Sequence, residues 1–337
     1  MDSSRFGLSQ RRLRINNHIR ELSRDVHLGA DQFIQPYFVN EGQAQAQSIP
    51  GLTGVYRETP ESLLKHVEED LEKGARKLLL FGVPAHKKSH EFDASFTASQ
   101  IQSLKKRFGH DLFVSVDVCF CSHTTHGHCG ILKDTLGGAE MDHIDNGATV
   151  KELAQTALVY AQAGADCVAP SDMMDGRIAA IRESLDRNGY EHTLLMSYAA
   201  KFHSKFYGPF RLAADSAPKG GTSLKDRATY QIDPANRRDA IESARRDALE
   251  GADILMVKPG LPYLDVLSQL SASIAKPWAV YEVSGEYAAI ELMANQGLIS
   301  GPEAHVESWI AFARAGASMI ISYGARHARQ WLTQAGY

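Results

Sequence analysis

No apolar run in the chain approaches the length of a membrane span, and no signal-peptide core follows Met1. Neither a spanning helix nor export is therefore expected. The chain also lacks an excess of charge of either sign. Its 36 basic and 40 acidic side chains leave a formal net charge of −4, so neither nucleic acid nor an anionic membrane is expected as a partner. Cysteine is scarce, and four in 337 residues do not make a disulfide framework. Three of them, Cys119, Cys121 and Cys129, crowd into one short stretch, which points to a reducing, cytoplasmic setting and a metal or redox role. Cys167, alone in the apolar stretch Asp166–Pro170, is expected to be a small core residue. No G-x-G-x-x-G and no G-x-x-x-x-G-K-[ST] follows an apolar run, so a dinucleotide or P-loop fold finds no support.

What is present is an ordinary globular composition, 44% hydrophobic and 23% charged, carrying one repeated unit. From Asp31 onwards an apolar run is followed by a loop, an amphipathic helix, Gly-Ala and another apolar run. The Gly-Ala pairs stand at Gly74, Gly164, Gly251 and Gly316, where a helix can stop at a glycine of positive φ. Helix starts are read at Thr59-Pro60, at Thr149 with Glu152 as a capping box, and at Asp233-Pro234. Eight candidate strands follow: 33–39, 77–82, 112–118, 166–169, 193–198, 253–257, 278–283 and 318–323. Eight strands alternating with helices predict an α/β fold, a TIM (β/α)8 barrel over residues 31–337 rather than an open doubly wound sheet. Residues 1–30 stand apart. Arg5, Arg11, Arg12, Arg14, Arg20 and Arg24 make them basic, Glu21 and Asp25 argue against a transit peptide, and the segment reads as an arm seeking a surface on another subunit.

In such a barrel the chemistry belongs at the C-terminal strand ends. The run Asp253–Val257 delivers Lys258, where burial would favour a neutral, nucleophilic amine. A similar run, Thr193–Ala200, delivers Lys201. A single strand-end lysine is usually just solvated; two of them near a cysteine cluster suggest more. The cluster has C-x-C-x7-C spacing, with Gly127 and Gly130 allowing a tight loop. Three thiolates suit zinc better than magnesium or calcium and leave a fourth position for water or substrate. His123, His126 or His128 could instead close that position. From Phe202 to Gln231 no periodic pattern persists. With Gly208, Gly220 and Gly221, and with Arg211, Lys219, Lys225 and Arg227 spread along it, this loop reads as a lid bringing cations to an anionic substrate.

Taken together, DVCFCSHTTHGHCG, VAPSDMMDGR, MSYAAKF, YGPFR, DPANRR, MVKPGLPYLD and VYEVSGEY resemble the porphobilinogen synthase (5-aminolevulinate dehydratase) family, in its zinc-dependent branch. The resemblance runs from about Arg11 to the C-terminal region. It implies a TIM barrel with an N-terminal arm, an octamer built from dimers, and condensation of two 5-aminolevulinate molecules in tetrapyrrole biosynthesis. It implies that Lys258 forms a Schiff base at one substrate site, P, and Lys201 at the other, A, with zinc on Cys119, Cys121 and Cys129. Arg211, Arg227 and Gln231 would hold the A-site carboxylate, and Ser284 and Tyr323 the P-site carboxylate. Asp117, Ser171, Tyr207, Phe210 and Tyr281 would complete the pocket. The sequence departs from the family in three places. The lid is longer before Arg227, and Thr229 stands where some members carry a further metal-binding cysteine. Ser243, beside Glu242, replaces the glutamate of an allosteric magnesium site, which argues against magnesium as a second cofactor. Two other readings remain: a Schiff-base aldolase with a structural cysteine cluster, and a non-catalytic metal-binding or assembly protein on a barrel scaffold.

Overall fold

The computed structural model describes residues 11–133, 143–218 and 224–337. Eight strands, β1 (Phe33–Asn40), β2 (Lys77–Val83), β3 (Phe113–Val118), β4 (Cys167–Pro170), β5 (Leu194–Lys201), β6 (Ile254–Lys258), β7 (Trp278–Tyr281) and β8 (Met319–Ile321), run parallel. β8 pairs back onto β1, with Phe33 opposite Ile320, and so closes the TIM barrel. Around it lie α1 (Pro60–Glu72), α2 (Ser95–Phe108), α3 (Asn146–Gln162), α4 (Arg177–Arg187), α5 (Arg237–Leu249), α6 (Leu264–Ser273), α7 (Ser284–Asn295), α8 (Gly301–Arg314) and α9 (Ala328–Gln334). A hairpin of Gln47–Ile49 and Leu52–Glu58 is inserted between β1 and α1 and adds to the edge of β1.

The strands read as near-continuous apolar runs because both of their faces are buried. Ile34 and Phe38 of β1, Leu79 and Phe81 of β2 and Met256 of β6 point into the barrel. Their neighbours Tyr37, Leu78, Leu80, Leu255 and Val257 pack outward against the helices. At the four Gly-Ala pairs, Gly74, Gly164, Gly251 and Gly316 have φ of +93°, +100°, +103° and +106°. Gly316 is doubly constrained, since a Cβ there would lie 2.1 Å from the Ser271 hydroxyl.

Two helix starts differ from the sequence expectation. α3 begins at Asn146 with Asp145 as its N-cap. Thr149 is buried inside it, bonding the Asp145 carbonyl and the Ile131 N–H, while the Glu152 carboxylate receives the N–H groups of Glu91 and Phe92. α5 is capped by Asn236 rather than opened by Asp233-Pro234. The long loop is also not structureless: it holds a 3-10 turn, Lys205–Tyr207, and a helix, Gly208–Ala213. Arg5, Lys219, Gly220 and Gly221 lie outside the described residues. In the N-terminal segment Arg11–Arg14 and Asn17–Leu22 form short helical pieces with no buried residue.

Behind β7 and β8 an ion cluster joins α7 and α8 to the barrel. The His305 ring lies 3.1 Å from Glu282 and 3.2 Å from Glu291. Glu282 also accepts from the Trp309 indole and the Ser322 hydroxyl. Burial opposes the imidazolium, but Glu282 and Glu291 outweigh it and raise the His305 pKa to about 9. A raised pKa stabilises the fold fully below the unfolded value of about 6.5 and loses that contribution as pH climbs through 9. Thermal and urea unfolding should therefore show stability falling between these pH values by something on the order of 3 kcal/mol. His305→Gln should remove most of that slope, and an unchanged slope would refute the assignment.

Candidate active site

The site lies at the C-terminal ends of the strands, where side-chain parity decides what faces inward. Along β6, Ile254 and Met256 point into the barrel, and Lys258 follows with the same parity. Along β5, Met196 and Tyr198 point inward, so simple alternation would turn Lys201 outward. The register with β6 shifts there: Ser197 pairs with Leu255, but Ala200 pairs with Val257. The irregularity gives β5 one extra residue, leaves Ala199 and Ala200 both in the outer core, and sets Lys201 opposite Lys258.

Lys258 Nζ sits in an aromatic box, 3.8 Å from the Tyr281 ring centroid, 4.8 Å from Phe210, 5.1 Å from Tyr198 and 5.6 Å from Tyr207. Lys201 Nζ lies 5.5 Å from the same Tyr198 ring and donates to the Ser171 carbonyl. Burial first, then the charge of Lys201, hold the Lys258 pKa well below the ordinary lysine value. Asp117 pulls the other way. Its own carboxyl is raised to about 7 by burial and by Cys121, against Lys201, and one of its oxygens has no hydrogen-bond partner.

The sulfur atoms of Cys119, Cys121 and Cys129 lie within 4.8 Å of one another, all buried. Hydrogen bonds from Cys119 and Cys129 hold the Cys121 thiol well below its usual pKa. Three converging soft donors fit a metal ion, and no histidine joins the cluster among the described residues. The histidines are engaged elsewhere: His128 with the Tyr230 hydroxyl and the Leu224 carbonyl, His123 with Ser122, and His126 with the His128 N–H.

Cys121, Ser171, Lys201, Tyr207, Phe210, Arg227 and Lys258 line one cavity, and Asp117, Cys119 and Phe210 line an adjoining one that also includes Cys121. Arg227 is buried from the lid, donating to the carbonyls of Gly127 and Ser216. Arg211 is less buried, with its pKa lowered by burial and by Arg227. Buried polar atoms of Arg211 and Gln231 lack partners, as groups awaiting a polar ligand do. Gln231 lines a polar cleft with Tyr230, Thr229 and Ser243, and its backbone N–H bonds the Arg227 carbonyl at 2.9 Å. Ser284 accepts from the Phe210 N–H and donates to the Phe206 carbonyl, which ties it to the base of the lid. Tyr323 receives the Tyr281 hydroxyl, and Tyr207 donates to the carbonyls of Phe202 and Lys258.

Three contributors escaped the sequence reading. Tyr198 lies beside both amines with an unpartnered buried hydroxyl. Its only sequence signal is a tyrosine set among aliphatic residues on the Lys201 strand. Tyr230 receives the Cys129 N–H, and Glu286 braces the loop after Lys258. Neither contact leaves any trace in local pattern.

A family model described as Delta-aminolevulinic acid dehydratase matches residues 8–331. A delta-aminolevulinic acid dehydratase of Helicobacter pylori is 42% identical over 321 residues, covering 94% of this chain and 96% of that protein. One of Bacillus subtilis is 39% identical over 328 residues, covering 96% and 98%. The crystal structure of delta-aminolevulinic acid dehydratase (porphobilinogen synthase) from Toxoplasma gondii, in complex with the reaction product porphobilinogen, matches with a TM-score of 0.90 at 39% identity, covering 96% of this chain and 91% of that one.

The depressed pKa of Lys258 can be read by cyanate carbamylation, with mass spectrometry following each lysine. Lys258 should reach half its maximal rate at lower pH than exposed lysines do. In Lys201→Met that midpoint should move upward, because a neighbouring positive charge has gone. An unmoved midpoint would mean that Lys201 exerts no such influence.

Proposed function

The chain belongs to the delta-aminolevulinic acid dehydratase family, and from that premise we propose that it condenses two 5-aminolevulinate molecules into porphobilinogen through imines on Lys258 and Lys201. The family is one of hydro-lyases, and the overall reaction releases two waters. The observation that carries the imine reading is the pair of buried amines facing each other at the barrel mouth, the Lys258 pKa being held low.

A neutral Lys258 amine adds to the ketone carbon of the P-site substrate, and the ketone oxygen leaves as water. The resulting iminium acts as an electron sink. Ser284 and Tyr323 hold that substrate's carboxylate. Lys201 captures the second ketone, whose carboxylate is held by Arg211, Arg227 and Gln231. Asp117, Ser171, Tyr207, Phe210 and Tyr281 complete the pocket. The C–C bond then forms at the P-site iminium carbon as the A-site carbon gives up a proton, the C–N bond forms at the A-site imine carbon from the P-site amino group, and Lys258 and Lys201 leave as free amines. Positioning two substrates in register in this way can lower a barrier by roughly 7–11 kcal/mol. Cys119, Cys121 and Cys129 would hold a zinc ion, which would supply Lewis acidity toward the A-site substrate.

Assembly is part of the same reading. The basic segment before residue 31 exposes Leu13, Ile15 and Leu22, which suits an arm laid on another subunit of a homo-oligomer, an octamer built from dimers. No helix among the described residues is long and apolar enough to cross a membrane, which is compatible with work in the cytoplasm.

Borohydride reduction with 5-aminolevulinate, read by peptide mass spectrometry, should place the adduct on Lys258. Finding no adduct on either Lys258 or Lys201 would overturn the imine mechanism. Chelation should abolish porphobilinogen formation without unfolding the chain, and added zinc should restore it. Cys121→Ser should still be trapped at Lys258 while making no product; full turnover in metal-free protein would exclude a catalytic metal.

A further inference from the structure

Glu286 belongs neither to the amine pair nor to the thiol cluster, yet it is buried beside the chain that leaves Lys258. Its carboxylate gathers three backbone N–H groups from two separate segments. One oxygen receives Leu261 N–H at 2.5 Å; the other receives Val283 N–H at 2.6 Å and Gly260 N–H at 3.3 Å. The Val283 bond is the usual reach of an acidic residue at the third position of a helix back to its cap. The other two are not local. They cross to the turn that follows β6, where Pro259 offers no N–H of its own.

The two segments joined by this carboxylate each carry one end of the P site described above. Lys258 immediately precedes the Pro259-Gly260-Leu261 turn, and Ser284 is the first residue of α7, whose third is Glu286. The turn has little freedom to settle elsewhere: a Cβ on Gly260 would lie 2.5 Å from the Phe312 ring. The α7 start is equally confined, since a Cβ on Gly285 would lie 2.6 Å from the Phe206 carbonyl. From the other side, the Lys258 carbonyl receives Phe202 N–H and the Tyr207 hydroxyl. The backbone of the amine-bearing residue is thus held between the lid base and Glu286.

We propose that Glu286 is a positioning residue that sets the spacing between the Lys258 amine and the carboxylate-holding start of α7, and through it the length of keto acid the P site accepts. The inference rests on the imine reading above. A 4-oxo acid places its ketone carbon a fixed number of bonds from its carboxylate, so an amine and a carboxylate clamp at fixed separation accept one chain length and reject the next. Burial raises the Glu286 carboxyl to about 8, against the three N–H groups that favour its ionised form; once ionised it braces both segments, because it offers two acceptor oxygens. Glutamine offers one, and its NH2 group would face an N–H donor.

The test is borohydride trapping at Lys258 with 4-oxopentanoate and with 5-oxohexanoate, which is one carbon longer. Trapping efficiency is measured for each acid in the wild type, in Glu286→Gln and in Glu286→Asp. The wild type should favour the shorter acid by at least about tenfold, equivalent to ~1.4 kcal/mol. Glu286→Gln should lose most of that preference through slower trapping of the shorter acid, in protein whose thermal unfolding remains cooperative. Glu286→Asp keeps the carboxyl group but loses reach; it should relax the preference as well, and it serves as the test if the glutamine variant does not fold. A folded variant that keeps the wild-type ratio overturns the positioning role while leaving the imine mechanism intact. A wild type trapped by neither acid nor by 5-aminolevulinate overturns the imine reading itself. A wild type that reacts with both acids equally removes only the role in length selection.

Discussion

The site depends on taking the Lys258 amine out of water beside a second amine. In bulk solvent a lysine is protonated at neutral pH and does not attack a ketone. Inside the barrel, burial and the facing Lys201 both disfavour the charged form. The surrounding rings of Tyr281, Phe210, Tyr198 and Tyr207 would by themselves favour a cation over their faces. Against that attraction stand burial and the like charge of Lys201, the two largest influences lowering the Lys258 pKa. The balance is moderated, because Asp117 and Cys121, the one thiol of the three whose pKa is lowered, favour the charged amine.

Everything around that pair serves to keep it dry and aligned. Two apolar layers, one within the barrel and one between strands and helices, make β5 and β6 rigid platforms. The lid contributes cations at graded depth, with Arg227 buried and bonded to carbonyls of the cysteine loop and of the lid itself, and Arg211 nearer to solvent. Ser284 and Glu286, both near the start of α7, fasten that helix to the lid base and to the turn after Lys258 respectively. The cysteine cluster, the amines and the lid are therefore neighbours through short backbone links.

Much of the fold was legible because it depends on local chemistry. The glycine of each Gly-Ala pair, ahead of β2, β4, β6 and β8, signals positive φ, and all four have it. Apolar runs of strand length signal strands buried on both faces, and each of the eight forms within a few residues of its expected ends. The helix caps were less legible. Thr149 with Glu152 had the spacing of a capping box, but tertiary partners claimed both side chains: Ile131 bonds Thr149, and the 91–92 backbone bonds Glu152. Asp233-Pro234 resembled a helix start, yet Asn236 supplied the cap. In both cases a polar side chain could satisfy either of two backbones, and only the packed structure chose.

The sequence by itself determined the barrel, the residue types at its mouth and the clustering of three thiols, because each follows from periodicity or from spacing within a few residues. Only the tertiary structure decided that Lys201 faces Lys258. On strict alternation from Tyr198 it would have pointed into the helix layer; one extra residue in β5 turns it inward, and such a slip is specified by pairing with β6 rather than by the β5 sequence alone. The same holds for Tyr198 between the amines and for Glu286 under the Lys258 turn. Their roles come from contacts across strands and loops, and long-range packing of that kind leaves no periodic mark on the chain.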